Sequence, residues 1–193
     1  QMFGRLSTLL VFFFLGVAVG SPASLSSYGG DYFSFALVGL ALAEPAWAAL
    51  SVPALKVRQA QIEGTLEALL VGPSSPWVIV ALNGTGGVLM GWFRLVLFIA
   101  VGALALGANL SFSGVGLALV AVLLLVIAQG AIGLIAASVT LAFKRGDPIA
   151  GVTHVVSGLL AGLLYPLSVL PDWMQSLANV VPLTHGLEAC RVA

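Results

Sequence analysis

Residues 54–77 read ALKVRQAQIEGTLEALLVGPSSPW, a stretch suited to water inside a chain otherwise suited to lipid. It holds Lys56, Arg58, Glu63 and Glu67, four of only seven basic and seven acidic side chains. Leu55, Ile62, Leu66, Leu69 and Leu70 fall roughly on one helical stripe, with the charges largely opposite, which predicts an amphipathic helix lying on a membrane face. Gly72-Pro73 is expected to stop that helix. Ser75-Pro76 reads as an N-cap followed by a proline in the first helical position, where its missing N–H costs nothing.

The rest of the composition explains why a water-loving stretch stands out. Of 193 residues, 60% are hydrophobic and 7% charged, with a mean hydropathy of +1.14. A soluble domain carries about 25% charged residues. So few charges, with apolar runs of about 18 residues or more, define an all-α polytopic membrane protein. A net charge of zero gives no pull toward nucleic acid. The single cysteine, Cys190, excludes an internal disulfide and a cysteine-based metal cluster.

Five spans are expected outward from this stretch, at about residues 3–20, 32–53, 86–107, 115–143 and 149–165. The first, with Arg5 ahead of VFFFLGVAVG, could also be a cleavable signal peptide; the spans downstream favour a transmembrane helix. Asn83–Gly87 reads as a flexible lead-in to the third span. The fourth ends in Lys144-Arg145-Gly146-Asp147-Pro148, a turn. Residues 166–190, broken by Pro166, Pro171 and Pro182, are too apolar for an ordinary surface loop. A short re-entrant helix over Trp173–Val180 fits both properties, provided that protein covers its non-helical ends. If the spans alternate, Arg5, Lys56, Arg58, Lys144 and Arg145 share one side. The excess of positive charge then places the N-terminus and residues 54–77 in the cytoplasm.

Charges within spans are costly, about 2.5–3.5 kcal/mol each at mid-span. Glu44, before the Pro45 kink, either lines a polar path or is held by a neighbouring helix. Arg94 either snorkels to the cytoplasmic face or contacts an anionic substrate. His154 is either a proton relay or a satisfied structural histidine. Three Gly-x-x-x-Gly pairs, Gly16/Gly20, Gly87/Gly91 and Gly158/Gly162, permit close helix contact. Neither lysine follows the Gly-x-x-x-x-Gly spacing, so the sequence has no nucleotide-binding P-loop. No HExxH, CxxC or Gly-x-Ser-x-Gly motif occurs, and the carboxylates are scattered. No catalytic residue, metal site or bound cofactor is expected.

Two separated stretches resemble the membrane (permease) subunit of a type-2 ABC transporter, the family of drug and polysaccharide exporters. The first is Glu63-Gly64-Thr65-Leu66-Glu67 with Leu69-Leu70 and Pro73. The second is Tyr165-Pro166, Leu170-Pro171-Asp172-Trp173-Met174-Gln175, then Pro182-Leu183-Thr184-His185-Gly186-Leu187-Glu188 and Arg191. Tyr32-Phe33 to Gly39 is similar to the start of the family's second helix.

The resemblance implies a half-transporter that pairs with a second permease copy or a sibling and docks an ATP-binding subunit. ATP and Mg would be held by that subunit. Arg58, Glu63, Gly64, Thr65 and Glu67 would couple to it, and Tyr165, Pro166, Pro171 and Trp173 would form an outer gate. Set against the family pattern, a lead-in helix before the first span and a last span after Arg191 are missing, so a piece of a longer family member is expected. The other class of function left open is an ATP-independent carrier or channel that uses Glu44, Arg94 and His154 as its path.

Overall fold

The computed structural model describes residues 2–20, 32–65, 76–106, 114–143 and 148–192. Among them are seven α-helices, one 3-10 turn and no strand. The helices are α1 (Met2–Val19), α2 (Tyr32–Ile62), α3 (Pro76–Leu104), α4 (Val115–Phe143), α5 (Pro148–Leu160), α6 (Asp172–Ala178) and α7 (Pro182–Val192), with the 3-10 turn at Leu167–Val169. Three stretches are long and apolar enough to cross a membrane: α2, residues Gly84–Leu104 of α3, and α4. The apolar parts of α1 and α5, Ser7–Ala18 and Gly151–Leu160, are shorter.

α2 is the hub, touching α1, α3, α4, α5 and α7. Its 31 residues span about 46 Å, well beyond a hydrocarbon thickness of about 30 Å. Its neighbours approach closely because alanine dominates its buried faces: Ala36, Ala41, Ala43, Ala46, Ala49 and Ala54 are at most 3% exposed. Glycines on the partner helices do the rest. A Cβ on Gly133 of α4 would lie 2.5 Å from the Ala49 carbonyl oxygen. Pro53, four residues on, has no N–H to give that carbonyl. Gly133 therefore sits where α2 exposes an oxygen, and a Cα–H contact is all that fits. Gly91 of α3 lies against Pro45 in the same way, where a Cβ would be 2.8 Å from the Pro45 Cα.

Contact pairs fix the helix directions. Leu42 packs in one cluster with Leu125, Leu50 and Val57 with Ala136 and Ala137, and Gln61 reaches Thr140, so α2 and α4 run parallel. α3 runs against α2, since Gly84 and Gly87 face Pro53 and Val52 while Gly102 faces Leu37. α1 also runs against α2: Gly16 faces Phe33, and Leu9 clusters with Leu37 and Ala41. α5 does the same, with Gly158 beside Trp47 and Ala161 clustered with Leu42 and Ala43. The tail after α5 thus lies at the Tyr32 end of α2, and the Glu63-Gly64-Thr65 turn lies at the opposite end.

The opening stretch departs from its sequence reading in two ways. It does not begin a separate amphipathic helix; residues 54–62 continue α2 without a break. The helix then stops at Ile62, earlier than the expected Gly72-Pro73, which lies outside the described residues. Gly64 adopts φ +69° and the Thr65 N–H donates to the Ala60 carbonyl at 3.1 Å, a Schellman stop with glycine in the left-handed position. The face packed against protein is a separate one. Leu55 and Ile62 are 58% and 72% exposed, while Ala54, Val57 and Ala60 are buried. A helix continuous with a span keeps the face its upstream part already uses, and that face is built from small residues.

Two further boundaries differ. α3 opens at Pro76 and runs unbroken through Asn83–Gly87, which glycine leaves flexible only when no neighbour fixes it; here Val52 and Pro53 lie beside it. α5 has only 13 residues, about 20 Å, and ends before Gly162, whose φ of +63° breaks the helix. The tail beyond holds two short helices rather than one. Trp173, Leu177 and Val180 on and after α6 are exposed, whereas Leu183, Thr184 and Leu187 of α7 are fully buried against α4 and α2.

Candidate functional site

Midway along α2, about 18 Å from Tyr32, polar side chains from four helices meet a short segment of backbone. Glu44 is 4% exposed, and Nη1 of Arg94 on α3 donates to its Oε2 at 3.4 Å. Arg94 is half-buried at 23%. Arg94 thus forms an ion pair across the α2–α3 contact. Gly91, one turn before Arg94, lets the two backbones close far enough for the pair to form. An isolated buried charge costs several kcal/mol after relaxation, and pairing offsets much of it.

One turn further along α2, Trp47 stacks on His154 of α5, with ring centroids 4.2 Å apart and planes 18° from parallel. Glu44, Arg94 and His154, suggested separately by the sequence, thus converge on two successive turns of one helix. A fourth contributor was missed. Gln129 of α4 is fully buried, and neither atom of its carboxamide has a hydrogen-bond partner. Leu125 packs with Leu42 and Ala46, and Gly133 faces Ala49 and Leu50, so Gln129 lies level with Ala46. The signal was present: few polar side chains interrupt the apolar run of α4, and a polar residue in a span is either bonded or functional. The indole Nε1 of Trp47 is also buried without a partner.

At each end of α2 a side chain bonds carbonyls at the C-terminal end of a neighbouring helix. At the Glu63 end, the Gln61 Nε2 donates to the carbonyls of Thr140 at 3.1 Å and Leu141 at 3.4 Å, in the last turn of α4. These are groups a helix cannot satisfy itself. Beside this contact Arg58 is half-buried and Glu63, Gly64 and Thr65 are exposed; Glu67 lies outside the described residues. Lys56 is exposed and bonds Gln59 at 3.3 Å.

At the Tyr32 end, Arg191 of α7 donates from Nη1 to the Gly162 carbonyl at 2.8 Å, and from Nη2 to those of Leu163 at 2.9 Å and Phe35 at 3.3 Å. Its guanidinium carbon lies 3.5 Å from the centre of the Phe35 ring. The Tyr165 hydroxyl donates to the Leu159 carbonyl. Tyr165 is therefore a cap on the broken end of α5. Pro166 is buried behind it, while Pro171 and Trp173 are exposed and start α6.

Parallel and antiparallel helices around a polar mid-height belt define a polytopic α-helical membrane protein. The chain matches the ABC-2 type transporter membrane family over residues 3–193 and belongs to it. It is therefore a membrane subunit of an ABC transporter. Nothing among curated proteins or solved structures matches it.

Proposed function

We propose that this chain is the permease half of an ATP-driven exporter that moves a lipophilic, drug-like or glycan-bearing substrate out of a bacterial or archaeal cytoplasm across the cell (inner) membrane. A separate ATP-binding subunit, carrying ATP and Mg, docks on the exposed Glu63-Gly64-Thr65 turn, with Arg58 and Glu67 on the same side of the membrane. A second permease copy or a sibling completes the transporter. The N-terminus is cytoplasmic in this arrangement, and the tail around Tyr165, Pro166, Pro171 and Trp173 forms the outer gate.

The observation that carries the reading is the continuity of α2. One helix runs from the tail to the Glu63 turn, passing the polar belt at mid-height. Closure of the ATP-bound partner dimer would push on the turn, and its higher affinity for the closed state supplies the free energy for tilting α2. The test is charge reversal, Glu63→Lys, in the intact transporter. Membrane insertion is expected to be retained, with loss of co-purification of the ATP-binding subunit and of substrate efflux. Unchanged co-purification and efflux would remove the docking assignment.

A second reading rests on the belt itself. Glu44, Arg94 and His154 at one height could serve an ATP-independent carrier as a coupling-ion path. Efflux that follows a proton gradient and ignores ATP would favour it.

A further inference from the structure

The Arg191 cluster does more than finish a helix, and three features of its surroundings say so. First, Arg191 ties three elements with one side chain. α7 is seated on α4, with Gly186 against Leu125 and the Cys190 thiol 3.5 Å from the Ala118 carbonyl. From there the guanidinium crosses to the broken end of α5 and to the first turns of α2. Second, α2 presents no knob at the crossing. Gly39 sits there, and a Cβ on it would collide with the Leu163 carbonyl oxygen and with Nη2 of Arg191, 2.7 Å away. At this crossing the hydrogen bonds between the α2 surface and the α5 end all belong to one side chain, and beyond them only the apolar packing of Ala161 and Leu163 on Leu42 and Ala43 has to part. Third, the other end of the same helix carries the Glu63 turn, 28 residues and about 42 Å from Phe35.

We propose that Arg191 is a positioning residue for transport: the latch through which α2 holds the tail shut until its Glu63 end is displaced. The proposal rests on the exporter reading above. A planar guanidinium suits the task, because it bonds carbonyls in different directions while its face lies on the Phe35 ring. A lysine ammonium at the same place is a point charge without the fork. When α2 tilts, the Phe35 carbonyl and ring leave Arg191 together, and the α5 end is freed from α2.

The test uses the whole transporter with its ATP-binding subunit, in right-side-out vesicles. Ala161, 1% exposed beneath the tail, is changed to cysteine in a Cys190→Ala background. A charged, membrane-impermeant methanethiosulfonate is added from outside, to vesicles loaded with Mg-ATP and to vesicles without it. With Arg191 in place, labelling is expected to be slow at rest and about tenfold faster with Mg-ATP, the factor that one charge-assisted hydrogen bond is worth. Arg191→Lys should label quickly in both conditions, with an ATP effect below about twofold on the same scale. Gly39→Ala, which keeps the guanidinium and wedges it away, should behave like Arg191→Lys. An unaltered ATP response in either variant overturns the latch. So does failure of both variants to assemble in the membrane, because Arg191 would then be holding the fold in every state. If the protein with Arg191 intact shows no ATP response, the exporter reading falls first and the latch with it.

Discussion

α2 and α4 are helices of nearly equal length, 31 and 29 residues, that run side by side in the same direction. The best 18-residue stretch of α4 has a mean hydropathy of 2.7 and is 22% buried, while that of α2 has 1.7 and is 67% buried. In water the more apolar helix would be the inner one. Here the order is reversed, because lipid is as apolar as leucine and gives no reward for hiding it. The inner helix is the one that carries Glu44, Pro45, Pro53 and a run of alanines. Small side chains let backbones approach, and polar ones find partners that lipid cannot offer.

The largest expected effect comes from the charge that α2 tolerates and α4 does not have. Glu44→Ala leaves Arg94 half-buried without that carboxylate, and should lower unfolding stability by about 3–5 kcal/mol. Thermal or denaturant unfolding in lipid nanodiscs measures it. The pair Glu44→Met with Arg94→Met should recover most of the loss, since two well-packed apolar groups often match a buried ion pair. A single-mutant loss below about 1 kcal/mol would mean that the α2–α3 contact does not depend on the pair.

Next comes the seam between the two helices. Gly133→Ala puts a Cβ 2.5 Å from the Ala49 oxygen, and should cost about 1–3 kcal/mol by forcing α4 away from α2. Gly116→Ala on the same helix has nothing within 4 Å and should be neutral or stabilising by up to about 1 kcal/mol through helix propensity. Equal effects at the two glycines would dissolve the distinction between the inner and outer faces of α4.

Gln129 tests the same seam from its polar side. A buried carboxamide without partners carries a desolvation cost of about 1–3 kcal/mol, so Gln129→Met, similar in volume, should raise stability by about 1 kcal/mol. A loss of that size would show that the amide is bonded in the membrane, by internal water or by a substrate group.

How much of this the sequence reveals follows from the same contrast. Helix starts such as Pro76, and the family likeness at Glu63-Gly64-Thr65 and Arg191, are local patterns, and they read directly. The inner helix is not legible from hydropathy, because burial among protein and burial in lipid select different residues. Leu55 and Ile62 lie on the exposed side for that reason, and Ala54, Val57 and Ala60 on the packed one. Gly64 could have been recognised as a helix stop, since glycine just past the last helical turn is the usual C-terminal signal. The pairings Glu44–Arg94, Trp47–His154 and Arg191–Phe35 join residues 50 to 156 apart, and only the helix directions bring them together.

The smallest effect is expected on the outer face of α4, and it is the most informative about what that face meets. Ile127 is 67% exposed. In the centre of a span, isoleucine favours insertion by only about 0.3–0.6 kcal/mol, and α4 has apolar residues to spare. Ile127→Ala should therefore change stability by less than about 0.5 kcal/mol if lipid covers it, as for an ordinary surface position. If a second permease copy covers it, the same change leaves a cavity between two proteins, and a loss of about 2 kcal/mol or more is expected, dependent on protein concentration. Unfolding of Ile127→Ala at two protein-to-lipid ratios separates the two. A small, concentration-independent change keeps α4 as the lipid-facing counterpart of α2. A large, concentration-dependent one makes it an inner helix of the assembled transporter, with the same rule of burial applied one level higher.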